Sequence, residues 1–327
     1  MRFVIYGAGA IGGTIGAQLH RAGRDVVLIA RGRHLERLQS DALRFQTPDG
    51  EERLAIPAVG SPVEAEVGAG DIVILAVKTQ DSAGALEQLA ALGAGELVLV
   101  CAQNGVENER LALRRFADVY GMLVYLPAQH IEAGVVQCFA TPNRGILDLG
   151  RAPSGLDERA ASIAASLSEA GFASQPRGDI MRWKYAKLLT NLGNAAQALF
   201  GPASAGEWSA RARAEALECY RAADIDCASE AEVAERRKSG ASNPRPVGGN
   251  AHAGGSSWQS LARGSGTIEA DYLNGEIVLL GRLYGVATPV NAALAQVATR
   301  MARNGEPAGS ADPASVQQAV QRVSSPR

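Results

Sequence analysis

The chain has 327 residues, 46% of them hydrophobic, with 32 Lys and Arg against 34 Asp and Glu for a formal net charge of −2. That length and apolar content support a sizeable core and two domains, while the charge balance offers no basic excess or stripe for nucleic acid. No run of about 18 apolar residues marks a membrane span, and the four histidines, His20, His34, His130 and His252, show no metal-ligand spacing, so no metal is expected.

The N-terminus lacks the form of a secretory signal, because Gly7, Gly9, Gly12, Gly13 and Gly16 break up the early apolar stretch. Cys101, Cys138, Cys219 and Cys227 are too few for a disulfide framework and read as free thiols of a cytoplasmic protein. "RFVIYGAGAIGGTIGAQLHRAGRDVVLIAR" starts as a β-rich run, turns at Gly7, continues helically through Ile11, Ile15 and Leu19, and returns as "DVVLIA". This is a βαβ unit with Gly7, Gly9 and Gly12 in G-x-G-x-x-G register. Gly7 suits the tight turn, Gly9 lets the backbone approach a pyrophosphate, and Gly12 permits close helix–strand packing. The helix opens at Ala10 and Ile11, where free amides face the anion. A glycine-rich turn without a ligand is the competing reading, and the strand–turn–helix–strand context weighs against it.

The second strand ends at Arg31, nineteen residues after Gly12. An NAD site usually has an acidic residue near this point, whereas a cation suits a 2′-phosphate, so NADPH is favoured over NADH. Arg33 lies close by as a second cation. Further strands are predicted at "DIVILAVK" (71–78), "ELVLVCAQNG" (96–105) and "GMLVYLP" (121–127), apolar enough for a parallel sheet covered on both faces. Ligands of such sheets bind beyond the carboxyl ends of the strands, where Lys78 and Asn104 fall. Position alone leaves Lys78 a solvated strand end and Asn104 a turn residue as readily as ligand groups. "VVQCFATPNRGILDLG" (135–150) reads as an antiparallel edge hairpin around a Pro-Asn turn.

The helical period dominates from Ile180, with helices predicted over 180–200, 207–238, 256–263, 267–284 and 289–303. Thr288-Pro289 fits an N-cap followed by proline at the first helical position. The Gly/Pro/Ser/Asn-rich stretch 239–257 is expected to be a mobile gate, and the tail from 305 to be mobile and dispensable. The fold class is therefore α/β, a Rossmann-type dinucleotide-binding domain over 1–177 followed by an all-helical domain over 178–327.

Within 180–200, a wheel advancing about 100° per residue puts Asn191 about 40° and Asn194 about −20° from Lys187. Lys184 lies about 60° away from Lys187 and lacks its four-residue spacing to Asn191. An ammonium and two amides thus share one stripe of an otherwise apolar helix. A solvated polar face is the bland explanation; the upstream dinucleotide cradle favours a catalytic one.

In order along the chain, "GAGAIG", "VKTQ", "QNG", "KLLTN", "SSWQSLARGSGTIEADYLNG" and "ATPVN" make the sequence resemble the ketopantoate reductase (2-dehydropantoate 2-reductase) family from residue 1 to about 303. The resemblance implies NADPH-dependent reduction of a small 2-keto acid, ketopantoate, to (R)-pantoate on the way to pantothenate and coenzyme A. It implies Lys187 as the catalytic lysine, with Glu269 beside it and also toward the cofactor. Asn191, Asn194 and Ser257 match substrate-binding positions, and Lys78 and Asn104 match residues reaching the nicotinamide ribose and the substrate. Asn194 stands seven rather than eight residues after the lysine, Tyr185 replaces a frequent tryptophan, and Gly254 stands where some relatives have asparagine. Two other functions fit the same features: a reductase of another small 2-keto acid or imine, and an NADPH-binding sensor without turnover. A homodimer through the helical half is a candidate assembly.

Overall fold

The computed structural model describes residues 1–93, 97–240, 242–249, 254–264 and 266–324. Two compact units emerge: Met1–Lys184 with Ser229–His252, and Tyr185–Ala228 with Ala253–Arg327. The division thus falls at Lys184 rather than at 177, and one later segment counts with the first unit.

The first unit opens with β1 (Arg2–Tyr6), α1 (Ala10–Arg21), β2 (Asp25–Ile29) and α2 (Gly32–Asp41). A hairpin of β3 (Leu43–Thr47) and β4 (Gly50–Leu54) leads to β5 (Ala58–Val59) and β6 (Ile72–Leu75). Then come α3 (Thr79–Ala90), β7 (Val98–Cys101), α4 (Glu107–Leu113), β8 (Asp118–Tyr125), β9 (Ala128–Gln129) and β10 (Val135–Cys138). β11 (Ala140–Pro142), β12 (Ile146–Arg151) and α5 (Glu158–Glu169) complete this run. The main sheet runs β12-β8-β7-β6-β1-β2-β5, parallel except for the edge strand β12. Alternation along β1 sends Phe3 and Ile5 into one apolar core, and Val4 and Tyr6 into the core on the other face. A smaller sheet runs β4-β3-β10-β9.

The expected hairpin over 135–150 is instead three strands in three sheets. β10 joins the small sheet, β12 edges the main one, and β11 pairs with β13 (Ser242–Pro244). The β13 segment is fixed to the first unit by long-range pairing. Arg236, on α9 (Glu230–Ser239), places Nε and Nη2 2.8 and 2.7 Å from the two oxygens of the buried Asp148 on β12. Arg245 N donates to Phe139 O at 2.6 Å, and Val247 is buried. Residues 242–249 are therefore anchored rather than gate-like; residues 241 and 250–253 of the expected gate, with His252, lie outside the described residues.

α6 (Ile180–Asn191) and α7 (Gly193–Phe200) replace the single helix expected over 180–200. Their junction is Leu192, whose carbonyl accepts from Asn274 Nδ2 at 3.2 Å, while an added Cβ at Gly193 would meet Ser209 Oγ at 2.9 Å. The helix expected over 207–238 is likewise two, α8 (Gly206–Ala222) and α9, because Asp224 takes a positive φ of 51° after the first. The second unit adds α10 (Ser256–Ala262), α11 (Ala270–Tyr284), α12 (Pro289–Asn304) and α13 (Pro313–Ser324). The tail is thus not loose from 305: Val316, Ala319 and Val320, at helical spacing, bury one face of α13, which packs on α12. Thr288 is the N-cap of α12 but makes no side-chain cap bond; the Glu215 carboxylate accepts from Val290 N and Asn291 N instead, at 2.8 and 2.9 Å.

Candidate active site

In the main sheet Cys101, Leu75, Tyr6 and Ile29 sit at one level by strand register. The segments leaving them carry Asn104, Lys78, the Gly7–Gly12 turn and Arg31, so one carboxyl edge presents all four. Gly7 has φ +104°, and a Cβ there would lie 2.7 Å from Val77 N. At Gly12 a Cβ would meet Gly7 O at 2.1 Å, so neither position accepts a side chain. Gly9 differs: nothing lies nearer to its Cβ position than His130 Nδ1 at 4.0 Å. It caps α1 without a side-chain acceptor, which leaves the amides of Ala10 and Ile11 at the helix head for an outside partner. A dinucleotide pyrophosphate fits this cradle through backbone donors and helix dipole alone.

Arg31 leaves the end of β2 with its side chain 83% exposed and Nη2 2.9 Å from Asp81 Oδ2, in the first turn of α3. Lys78 caps the same helix with extended backbone. Asn104 is half-buried in a turn closed by Gly105, whose φ of +81° requires glycine. That turn is braced by a buried network: Gln103 Nε2 donates to Ser82 Oγ at 3.3 Å, Ser82 to Asn108 Oδ1 at 2.6 Å, and Asn108 to Thr79 Oγ1 at 3.2 Å.

Sequence reasoning set Lys184 aside as an off-stripe lysine, but it is buried and structural. Its Nζ lies 2.6 Å from Glu109 Oε1, with the two side chains 3% and 1% exposed, and it donates to Gln103 O at 2.9 Å. Burial pushes the Glu109 carboxyl above its ordinary range, and the Lys184 ammonium opposes that shift. Both groups crowd Gly121 of β8, where a Cβ would stand 3.3 Å from each. No local pattern marks this pair, because its partners are far apart in sequence.

In the second unit, Lys187 is half-buried on α6, Asn191 ends that helix, and Asn194 stands in the first turn of α7. Leu192 keeps near-helical angles (φ −59°, ψ −27°), so the helical turn continues across the junction. Asn191 and Asn194 are 8% and 9% exposed. Asn194 Oδ1 lies 2.9 Å from the position of a Cβ on Gly255, which caps α10, and Ser257 stands second in that helix. Asn191 Oδ1 and Ser257 Oγ are buried without a hydrogen-bond partner among the described residues. Buried polar atoms are ordinarily bonded, so these two mark where a ligand would bond. Glu269 is buried at the N-cap of α11; burial pushes the guanidinium of Arg263, a neighbour the motif reading missed, below its ordinary range, and the Glu269 carboxylate opposes that shift.

Comparison with known proteins matches the family model "Ketopantoate reductase PanE/ApbA" over residues 3–153 and its C-terminal counterpart over 179–302. A 2-dehydropantoate 2-reductase of Mesorhizobium japonicum is 33% identical, covering 92% of this chain and 98% of that protein. The Halobacterium salinarum protein of the same name is 29% identical over 93% of this chain and all of its own length. Among solved structures, a Ralstonia eutropha PanE/ApbA family ketopantoate reductase superposes with a TM-score of 0.76 at 26% identity, covering 94% of this chain and 99% of its own. D-mandelate dehydrogenase, solved with NADH and anilino(oxo)acetate, reaches a TM-score of 0.79 at 22% identity over 93% and 99%, a likeness of fold. Among the described residues no helix is long and apolar enough to cross a membrane.

Proposed function

This chain belongs to the ketopantoate reductase family, and we propose that it reduces 2-dehydropantoate to (R)-pantoate with NADPH, in pantothenate and coenzyme A biosynthesis. The observation that carries this reading is the family match on both halves of the chain. The nicotinamide, when bound, supplies hydride to the keto carbon. Lys187 delivers the proton to the developing alkoxide and stabilises its charge. Glu269 orients that lysine and favours its protonated form. Asn191, Asn194 and Ser257 bind the substrate carboxylate and hydroxyl, in keeping with the unpartnered Asn191 Oδ1 and Ser257 Oγ. Gly7, Gly9, Ala10, Ile11 and Gly12 cradle the pyrophosphate, Lys78 and Asn104 reach the nicotinamide side, and Arg31 takes the 2′-phosphate. Four free thiols, three of them buried, are in keeping with a cytoplasmic enzyme. A homodimer through the second unit belongs to the same proposal, supported by Leu279, Leu283 and Tyr284 exposed on α11.

A second reading keeps the chemistry and changes the keto acid. At Gly254 φ is +51°, and a Cβ would come 2.7 Å from the Trp258 ring, so an indole occupies the space an asparagine side chain would need. Following NADPH absorbance with 2-dehydropantoate, phenylglyoxylate and smaller 2-keto acids separates the two. Highest kcat/KM on 2-dehydropantoate supports the proposal. Preference for another keto acid favours the second reading, and tight NADPH binding with no turnover on any of them contradicts both.

A further inference from the structure

His34, on α2, is held at both ring nitrogens. Nε2 lies 2.8 Å from Ala8 O, and Nδ1 lies 2.9 Å from Gly134 N. A backbone N–H can only donate, so Nδ1 is the bare acceptor and the ring proton sits on Nε2, which donates to the Ala8 carbonyl. Partial burial also pushes His34 below the ordinary imidazole range, favouring the neutral ring.

Ala8 is the middle of the Gly7–Ala8–Gly9 turn, and its N–H donates to Ile29 O at 3.2 Å. Its two backbone polar groups are therefore fixed from β2 and from α2. Behind His34 the ring of His130 lies at 4.2 Å between centroids, tilted by 47°. On the Nδ1 side, Gly134 has φ +82°, and a Cβ there would lie 2.9 Å from Arg37 Cβ, so only glycine brings this amide to the ring.

We propose that His34 is a positioning residue for the dinucleotide: its neutral Nε2–H form clamps the Ala8 carbonyl and holds the Gly7–Gly9 turn in the shape that offers the α1 amides to the pyrophosphate. The proposal rests on the cofactor reading above. Two glycines in three residues leave the turn many alternative conformations, and a nucleotide binding an unclamped turn must first select the competent one, which weakens apparent affinity. The clamp acts on cofactor binding and not on proton transfer.

Isosteric variants separate the two hydrogen bonds. His34→Gln retains a donor near the Nε2 position, His34→Asn retains an acceptor near the Nδ1 position, and His34→Ala retains neither. NADPH dissociation constants are measured by calorimetry for each, with melting temperature and steady-state kinetics alongside. His34→Ala and His34→Asn should bind NADPH roughly three- to tenfold more weakly, the effect of one lost neutral hydrogen bond. His34→Gln should bind like the wild type, and the losses should appear in KM for NADPH rather than in kcat. Unchanged affinity in all three variants overturns the proposal while leaving the cofactor site intact. Affinity that follows melting temperature rather than the Nε2 donor also overturns it. A wild-type protein that binds neither NADPH nor NADH overturns the cofactor reading and this proposal with it.

Discussion

A lysine removed from water needs a counter-charge, and Lys184 has one in Glu109. That partner is 1% exposed, so truncating the lysine leaves a carboxylate stranded in the core. Lys184→Ala should cost about 3–5 kcal/mol by urea unfolding, while Lys184→Met with Glu109→Leu should recover most of it. A single-mutant loss under about 1 kcal/mol, the range of an exposed pair, would contradict this account of the pair. Any activity lost in Lys184→Ala therefore reflects stability and the placement of the Gln103–Asn104 turn. Arg31 is the opposite case. Its pair with Asp81 is solvent-exposed, worth about 0–1 kcal/mol, and gives way readily to a dianionic phosphate. Arg31→Ala should raise KM for NADPH roughly tenfold and leave NADH nearly unchanged; equal losses for both cofactors would remove the basis for NADPH preference.

At the scale of elements, the βαβ opening was legible because glycine spacing, strand and helix periods all agreed within thirty residues. α13 was not, because its apolar stripe of Val316, Ala319 and Val320 is short and set among Gly, Pro and Ser. Its burial becomes visible only with α12 in place. Deleting 313–327 should lower the melting temperature, since burying each valine contributes about 1.5–3 kcal/mol before ordering entropy is subtracted. An unchanged melting temperature would restore the view of a dispensable tail. The cap of α12 was hidden for the same reason. Thr288 stands at the right position, but the acceptor that bonds the helix head comes from Glu215, 75 residues away. Burial raises the Glu215 carboxyl, and the amides of Asn291 and Val290 oppose that shift.

For the molecule as a whole, sequence was informative where one segment carries its own signal and silent where distant segments meet. The sheet's carboxyl edge could be read from apolar runs ending at Lys78 and Asn104, because parallel strands put their ligands there. The return of Ser229–His252 to the first unit could not, since it hangs on Arg236 finding Asp148 88 residues away and on β13 pairing with β11. The residues proposed for catalysis and substrate binding were found by motif order, and the burial of Asn191 and Ser257 with their unpartnered oxygens appeared only with coordinates.

The central claim is proton delivery by Lys187 during NADPH-dependent reduction of a keto acid, and the most direct test is turnover of 2-dehydropantoate by Lys187→Ala, with NADPH binding measured on the same protein. A positioned general acid contributes about 10²–10⁴-fold, so kcat should fall by that order while NADPH binding stays near the wild-type value. Near-normal turnover in Lys187→Ala would contradict the account.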